Sequence, residues 1–144
     1  MPGFISQLVK IAGETSRIKK EKNQENELDP LSKQRLEILM QRAHDDDVQS
    51  MLDLGILYIQ GRFVGYDPDM ARYWWEKAAQ KGSAHAQYNL GLLYHGELST
   101  YYFDPNLAGY WFNIARYNGM EEADQIIENY YKYKSSSDKW VRIK

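Results

Sequence analysis

The 144-residue chain has no cysteine and no apolar run long enough to cross a bilayer. Without cysteine, neither a disulfide framework nor a thiolate metal site can form, which fits a reducing compartment. A membrane-spanning helix needs about 18 or more apolar residues in a row, so none is expected. Ser6, Gln7 and Lys10 interrupt the N-terminal apolar residues, which argues against a secretory signal. These absences predict a soluble, cytoplasmic protein.

Sequence patterns for catalysis and metal binding are missing as well. There is no G-x-S-x-G nucleophile elbow and no glycine-rich phosphate loop. His85 and His95 are separated by about 15 Å along a helix axis, too far to share one ion. His44 precedes three aspartates, a pattern more typical of a solvated helix end than of an ion site. We therefore expect no enzymatic activity, no cofactor and no metal site.

Charge is distributed unevenly along the chain, although the net charge is only −2. Residues 29–131 contain eight basic and fifteen acidic side chains, whereas residues 132–144 contain five basic and one acidic. Nucleic-acid binding requires a basic face, so the acidic body argues against such a partner. A protein or peptide with a basic surface is the better electrostatic complement.

What the chain has in abundance is internal repetition. The segment Ser50–Tyr58, SMLDLGILY, returns as Ala86–Tyr94, AQYNLGLLY, and more faintly as Ala123–Tyr131, ADQIIENYY. A second element, Asp67–Gly82, returns as Asp104–Gly119. A period of 36 or 37 residues with two distinct halves is typical of stacked helix pairs. Such a stack offers a binding surface rather than a catalytic pocket.

Local signals place the helices within this repeat. The Asp-Pro pairs supply an N-cap followed by proline at the first helical position, and Gly82 and Gly119 are suited to end helices. Helices are expected over residues 30–44, 48–60, 68–81, 84–95, 105–118 and 121–133. The predicted fold is all-α: an α/α solenoid, a right-handed superhelix of about three helix pairs.

Small and aromatic residues alternate at matching repeat positions. Mid-helix glycine costs about 1 kcal/mol relative to alanine, so Gly55 and Gly91 at the same phase indicate close helix contacts. The large aromatic side chains are expected to fill the space between helix pairs. The predicted structural positions are Gly55, Tyr58, Ala71, Trp74, Trp75, Ala78, Gly82, Gly91, Tyr94, Ala108, Trp111 and Gly119.

These residues resemble the Sel-one-like repeat family, a branch of the tetratricopeptide-like helical repeats. The family pattern A-x-Y-x-L-G-x-L-Y, then D-x-x-x-A-x-x-W-Y-x-K-A-A-x-x-G, is closely met by Ala86–Tyr94 and Asp67–Gly82. Two near-complete repeats, at about 50–82 and 86–119, are flanked by half-repeats. Glu128 stands where a glycine is expected, so the last helix is predicted to cap the stack. The loop Glu97–Phe103 lacks the usual G-x-G-V.

The resemblance implies an interaction scaffold whose groove is lined by the first helix of each pair. Two functions remain open: an adaptor that binds a partner protein or peptide, and an immunity protein that neutralises a bacterial toxin by covering its active site. Tyr101 and Tyr102 either pack onto the core or form an exposed anchor for a partner. The groove candidates are Gln49, Gln60, His85, His95, Glu122, Gln125, Asn129, Lys132 and Tyr133.

Three segments organise the chain. Residues 1–28 are predicted to form an amphipathic helix, Phe4–Ile18, and a linker; residues 29–133 form the repeat domain; and residues 134–144 form a loosely ordered basic tail that Trp140 could pin down. The N-terminal helix is expected to cover the open end of the stack. Its alternatives are docking onto a partner or onto a second copy as a homodimer. A membrane-surface role is disfavoured because Glu14 offsets the basic residues.

Overall fold

The computed structural model describes residues 28–144, so the predicted helix Phe4–Ile18 lies outside the described residues. Local backbone preferences give six α-helices, a single 3₁₀ turn and a two-stranded antiparallel hairpin in this part of the chain. In order they are α1 (Pro30–His44), α2 (Val48–Gln60), α3 (Pro68–Gln80), α4 (Ala84–His95), the 3₁₀ turn (Thr100–Tyr102), α5 (Pro105–Tyr117), α6 (Glu121–Tyr130), β1 (Tyr131–Lys134) and β2 (Lys139–Arg142).

Side-chain caps begin the helices where the sequence predicts them. Asp29 accepts hydrogen bonds from the backbone N–H groups of Leu31 and Ser32, both at 3.0 Å, and Asp67 and Asp104 cap α3 and α5 in the same way. In each of these three helices proline occupies the first turn. The aspartate satisfies N–H groups that have no partner within the helix, so the helix starts are fixed locally.

Glycines opposite aromatic rings set the packing within each helix pair. The ring of Trp75, on α3, lies over Gly55 of α2, and its indole N–H donates to the Leu52 carbonyl at 3.2 Å. In the second pair Phe112, on α5, lies over Gly91 of α4. The predicted close contact is therefore present, although a ring rather than the neighbouring backbone fills it. The helices pack consecutively, which confirms the all-α, tetratricopeptide-like solenoid.

The two loops between paired helices close in the same way despite their different sequences. The Asp67 N–H donates to the Tyr58 carbonyl at 3.0 Å, and the Asp104 N–H donates to the Tyr94 carbonyl at 2.9 Å. The second loop therefore keeps this closing hydrogen bond even though it lacks the G-x-G-V pattern. Only the interior of that loop differs, because it contains the 3₁₀ turn.

The C-terminal segment departs from the prediction. The last helix ends at Tyr130 rather than Tyr133, and the tail expected to be loosely ordered forms the second half of a β-hairpin. The predicted boundary at residue 134 thus falls inside β1. Aromatic and basic residues alternate in Tyr131–Lys134, the two-residue period of a strand, and this signal outweighs continuation of the helix.

The hairpin docks against the last complete repeat. Trp140 lies over Gly109 of α5, where an added Cβ would come within 2.4 Å of the Trp140 Cβ. The Trp140 backbone N–H also donates to the Asn106 side chain at 2.8 Å. The expectation that Trp140 pins the tail is confirmed. The hairpin covers α5 and α6 at the end of the stack, where another helix would otherwise pack.

Candidate protein-binding surface

The first helices of the pairs, α2, α4 and α6, carry most of the predicted groove residues. Leu52, one of their apolar neighbours, is buried, and Tyr88 is half-buried. The polar candidates on these helices remain accessible to a partner. Those with exposed side chains are Gln49, Gln60, His85, Glu122, Gln125 and Asn129.

Tyr88, on α4, lies within electrostatic range of two glutamates from other parts of the chain. The Tyr88 ring packs on the buried Phe112 ring with centroids 5.7 Å apart, and this contact fixes the position of Tyr88. Burial raises the pKa of the Tyr88 hydroxyl, and the nearby charges of Glu97 and Glu122 raise it further. The charges of two exposed carboxylates thus act on this hydroxyl. We call Tyr88, Glu97 and Glu122 the acidic cluster.

A second acidic group lies on α2. The Gln49 side-chain amide donates to the Asp53 carboxylate at 2.8 Å, which orients both side chains along the helix surface. Carboxylates held in this way accept hydrogen bonds from lysine or arginine, and a tyrosine ring offers its face to the same cations. Asp53, Glu97 and Glu122 are therefore hydrogen-bond acceptors of a kind that pairs with cationic groups.

His95 differs from the other groove candidates because its ring is engaged within the chain. Its Nδ1 atom shares a short hydrogen bond with the hydroxyl of Tyr131, and its ring lies edge-on to Phe112 and Tyr130. Burial lowers the pKa of His95, the charge of Arg142 lowers it further, and Glu97 partly opposes both effects. His95 therefore joins α4 to the hairpin as a neutral side chain.

This environment predicts a stability that depends on pH. Because the folded-state pKa of His95 lies below its unfolded value, near 6.5, the unfolded chain binds more protons as pH falls through that value. The free energy of unfolding should accordingly decrease below about pH 6.5 and level off once the folded-state pKa is passed. Urea unfolding across pH 5–8 measures this, and the His95→Phe variant should lose that part of the dependence. The exposed His85, changed to Phe, is the matched control and should retain it.

Lys132 and Tyr133, which the sequence places on the last helix, lie in β1. The Tyr133 hydroxyl donates a short hydrogen bond to the Asp138 carboxylate, and its ring packs on Trp140 at 5.5 Å. Lys132 is exposed. Both residues therefore belong to the hairpin rather than to a helical groove wall, which corrects their predicted placement.

Of the two loop tyrosines, Tyr102 packs onto the core and Tyr101 is exposed to solvent. Tyr102 packs inward, with its ring edge-on to Tyr94 at 6.2 Å and with the guanidinium of Arg72 5.6 Å from its ring centre. Tyr101 is 85% exposed. On the preceding loop Tyr66 is also exposed, and its hydroxyl reaches the Leu98 carbonyl at 3.4 Å, linking the two loops.

Sequence reasoning did not select Tyr88 and Glu97 for this surface. Tyr88 occupies an apolar position of its repeat, which favours the core, and its side chain is half-buried. Glu97 follows Gly96, whose left-handed conformation ends α4 and directs the chain into the loop. A carboxylate directly after a predicted helix end, near Glu122 of the following repeat, is the signal that could have identified it.

No group of three or more metal-ligating His, Asp or Glu side chains occurs within residues 28–144. In the same residues, every helix is too short or too polar to span a membrane.

Comparison with known proteins supports the repeat assignment. The Sel1 repeat model matches residues 48–83 and 84–120. A Sel1 repeat protein from Oxalobacter formigenes has a similar structure, with a TM-score of 0.61 and 25% identity over 85% of this chain and 89% of that one.

A protective antigen of uropathogenic Escherichia coli strains with an SLR fold is also similar, with a TM-score of 0.58 and 35% identity over 62% of this chain. The match spans only 19% of the E. coli protein. Among curated proteins, none matches the sequence. The paired helices and both family matches lead to one conclusion: the chain belongs to the Sel1 repeat family, whose repeats generally serve as protein–protein interaction modules.

Proposed function

We propose that the chain is a non-enzymatic adaptor that binds a basic protein or peptide segment through the exposed surface of α2, α4 and α6. The acidic cluster is the observation that carries this proposal. Tyr88 provides an aromatic face fixed by Phe112, and Glu97 and Glu122 provide negative charge beside it. A lysine or arginine side chain could lay its apolar stem on the ring and direct its charged end to the carboxylates.

The rigidity of the solenoid supports binding by a preformed surface. Tyr88 is held by Phe112, which in turn lies over Gly91, so the cluster is tied to the core of the second repeat. A surface that is already ordered loses little conformational entropy when a partner docks. Complementary charge then contributes mainly to the association rate and to the choice of partner.

The test compares two charge reversals in exposed glutamates. Glu122→Lys should weaken binding of the native partner about tenfold, because it replaces an attractive charge by a repulsive one. It should lower the melting temperature only slightly, because Glu122 lies in the first turn of α6, where negative charge favours the helix. Glu37→Lys, on α1, makes the same change in net charge away from the cluster and should leave affinity unchanged. The partner is first identified by pull-down from the native cell with mass spectrometry, and its affinity is then measured by titration calorimetry.

Equal weakening by both variants would show that only net charge matters, and unchanged affinity in Glu122→Lys would place the interface elsewhere. The same titrations separate an adaptor from a toxin-neutralising inhibitor. An adaptor should bind several partners at micromolar concentration. An inhibitor should bind a single toxin at nanomolar concentration or tighter and abolish its activity.

We also propose that the chain is cytoplasmic and that it forms a homodimer through its N-terminal segment. Cell fractionation tests the first. Light scattering during size-exclusion chromatography tests the second, with the full chain compared against a variant carrying acidic substitutions at Leu8 and Ile11.

A further inference from the structure

The register of the hairpin separates its side chains into two faces. Tyr131 pairs with Arg142 and Tyr133 pairs with Trp140, and since side chains alternate along a strand, these four share the face that packs toward α5 and His95. The opposite face, which we call the lysine face, consists of Lys132, Lys134, Lys139 and Val141. All three of its lysines are exposed.

Two of these lysines are placed unfavourably for folding. Lys134 and Lys139 are direct cross-strand partners, and like charges directly opposite each other destabilise an antiparallel pair. Asp138, which precedes Lys139 in the sequence, accepts a hydrogen bond from the Tyr133 hydroxyl. The salt bridges within residues 28–144 join Arg72 to Glu76, Lys81 to Asp46 and Arg116 to Asp124, so none of them neutralises the lysine face.

The hairpin is docked on the domain through its opposite face, which carries Trp140. Trp140 is held over Gly109, and its backbone N–H is bonded to Asn106. The lysine face is therefore held in a fixed position relative to α5. A local arrangement that costs stability and is joined by no salt bridge to another part of residues 28–144 is expected at a functional site.

We propose that the lysine face is a second docking surface, for an acidic protein segment in extended conformation. Glutamates or aspartates two residues apart on such a segment are about 7 Å apart, the same spacing as Lys132 and Lys134 along β1. Their carboxylates would lie between the lysines and remove the repulsion. This surface shares no residue with the acidic cluster and is opposite in charge, so the chain could bridge an acidic and a basic partner.

The test uses the full chain and a fluorescein-labelled peptide of alternating glutamate and threonine, followed by fluorescence anisotropy. Lys139→Glu should weaken peptide binding about tenfold, because one attractive charge becomes repulsive. It should also increase hydrogen-exchange protection of the hairpin amides, because an opposite-charge pair replaces a like-charge pair. Lys134→Glu/Lys139→Glu should weaken binding further and lose the gain in protection.

Lys33→Glu, on α1, is the matched control: it makes the same change in net charge at an exposed lysine and should leave both measurements unchanged. Unchanged peptide binding in Lys139→Glu overturns the proposal. An equal loss in Lys33→Glu also overturns it, because bulk charge alone would then explain binding. Tighter binding of single-stranded DNA than of the peptide would assign the face to nucleic acid instead. Failure of the Glu122→Lys test would leave this surface unaffected.

Discussion

Replacing Gly55 by alanine should destabilise the repeat domain by about 3 kcal/mol, although the substitution adds only one methyl group. The new Cβ would lie 2.2 Å from the Trp75 indole nitrogen. Trp75 cannot retreat easily, because it is buried and its N–H is bonded to the Leu52 carbonyl. In an unobstructed helix the same substitution would stabilise by about 1 kcal/mol, so the sign of the effect tests the packing. Leucine at this position should prevent folding.

Urea unfolding monitored by circular dichroism measures this change. Gly65→Ala is the matched control, because its Cβ would meet no atom within 4 Å, and it should leave stability nearly unchanged. Gly91→Ala should behave like Gly55→Ala, since its Cβ would come within 2.5 Å of the Phe112 ring. A stability gain in Gly55→Ala would contradict the ring-over-glycine arrangement.

The helical repeat could be predicted closely because its signals are local. Asp67 followed by Pro68 fixes the start of α3 within one turn, and Gly82, with φ of 89°, fixes the exit of the chain. Both are properties of a few adjacent residues. The matching period then places each helix against its neighbour, because the same small and aromatic residues recur at the same phase.

The hairpin could not be predicted in the same way because its position depends on contacts distant in sequence. Ala123–Tyr131 aligns with α2 and α4, the first helices of the two preceding pairs, and this alignment favours a helix that continues to Tyr133. Trp140 docks on Gly109, which occupies the repeat position that Arg72 holds in the preceding pair. From the sequence alone, a glycine at this position indicates only a low helix propensity. The fold shows that it makes room for the Trp140 ring.

The candidate surface was predicted in part for a similar reason. Repeat phase identified Glu122 and the exposed glutamines, because it reports which side of a helix a residue occupies. It could not bring Glu97 to Tyr88, since a loop places Glu97. Nor could it remove His95 from the free surface, because its partner Tyr131 lies 36 residues away. Long-range pairing of this kind has no local signature.

Replacing Trp140 by alanine should destabilise the C-terminal half of the domain by about 2 kcal/mol, because a half-buried aromatic is lost from a docked interface. Tyr117→Ala removes a comparable ring that is 81% exposed and should cost little, which makes it the matched control. Hydrogen exchange read by mass spectrometry locates the effect, and binding of an apolar dye reports the newly exposed surface of α5.

The distribution of that loss along the chain distinguishes a solenoid from a closed bundle. In a stack of repeats each unit contacts only its neighbours, so a defect at the cap should reduce protection in α5 and α6 and leave α2 and α3 nearly unaffected. In a closed bundle all helices share one core and should lose protection together. A uniform loss in Trp140→Ala would therefore contradict the nearest-neighbour architecture, on which the independence of the acidic cluster and the lysine face also depends.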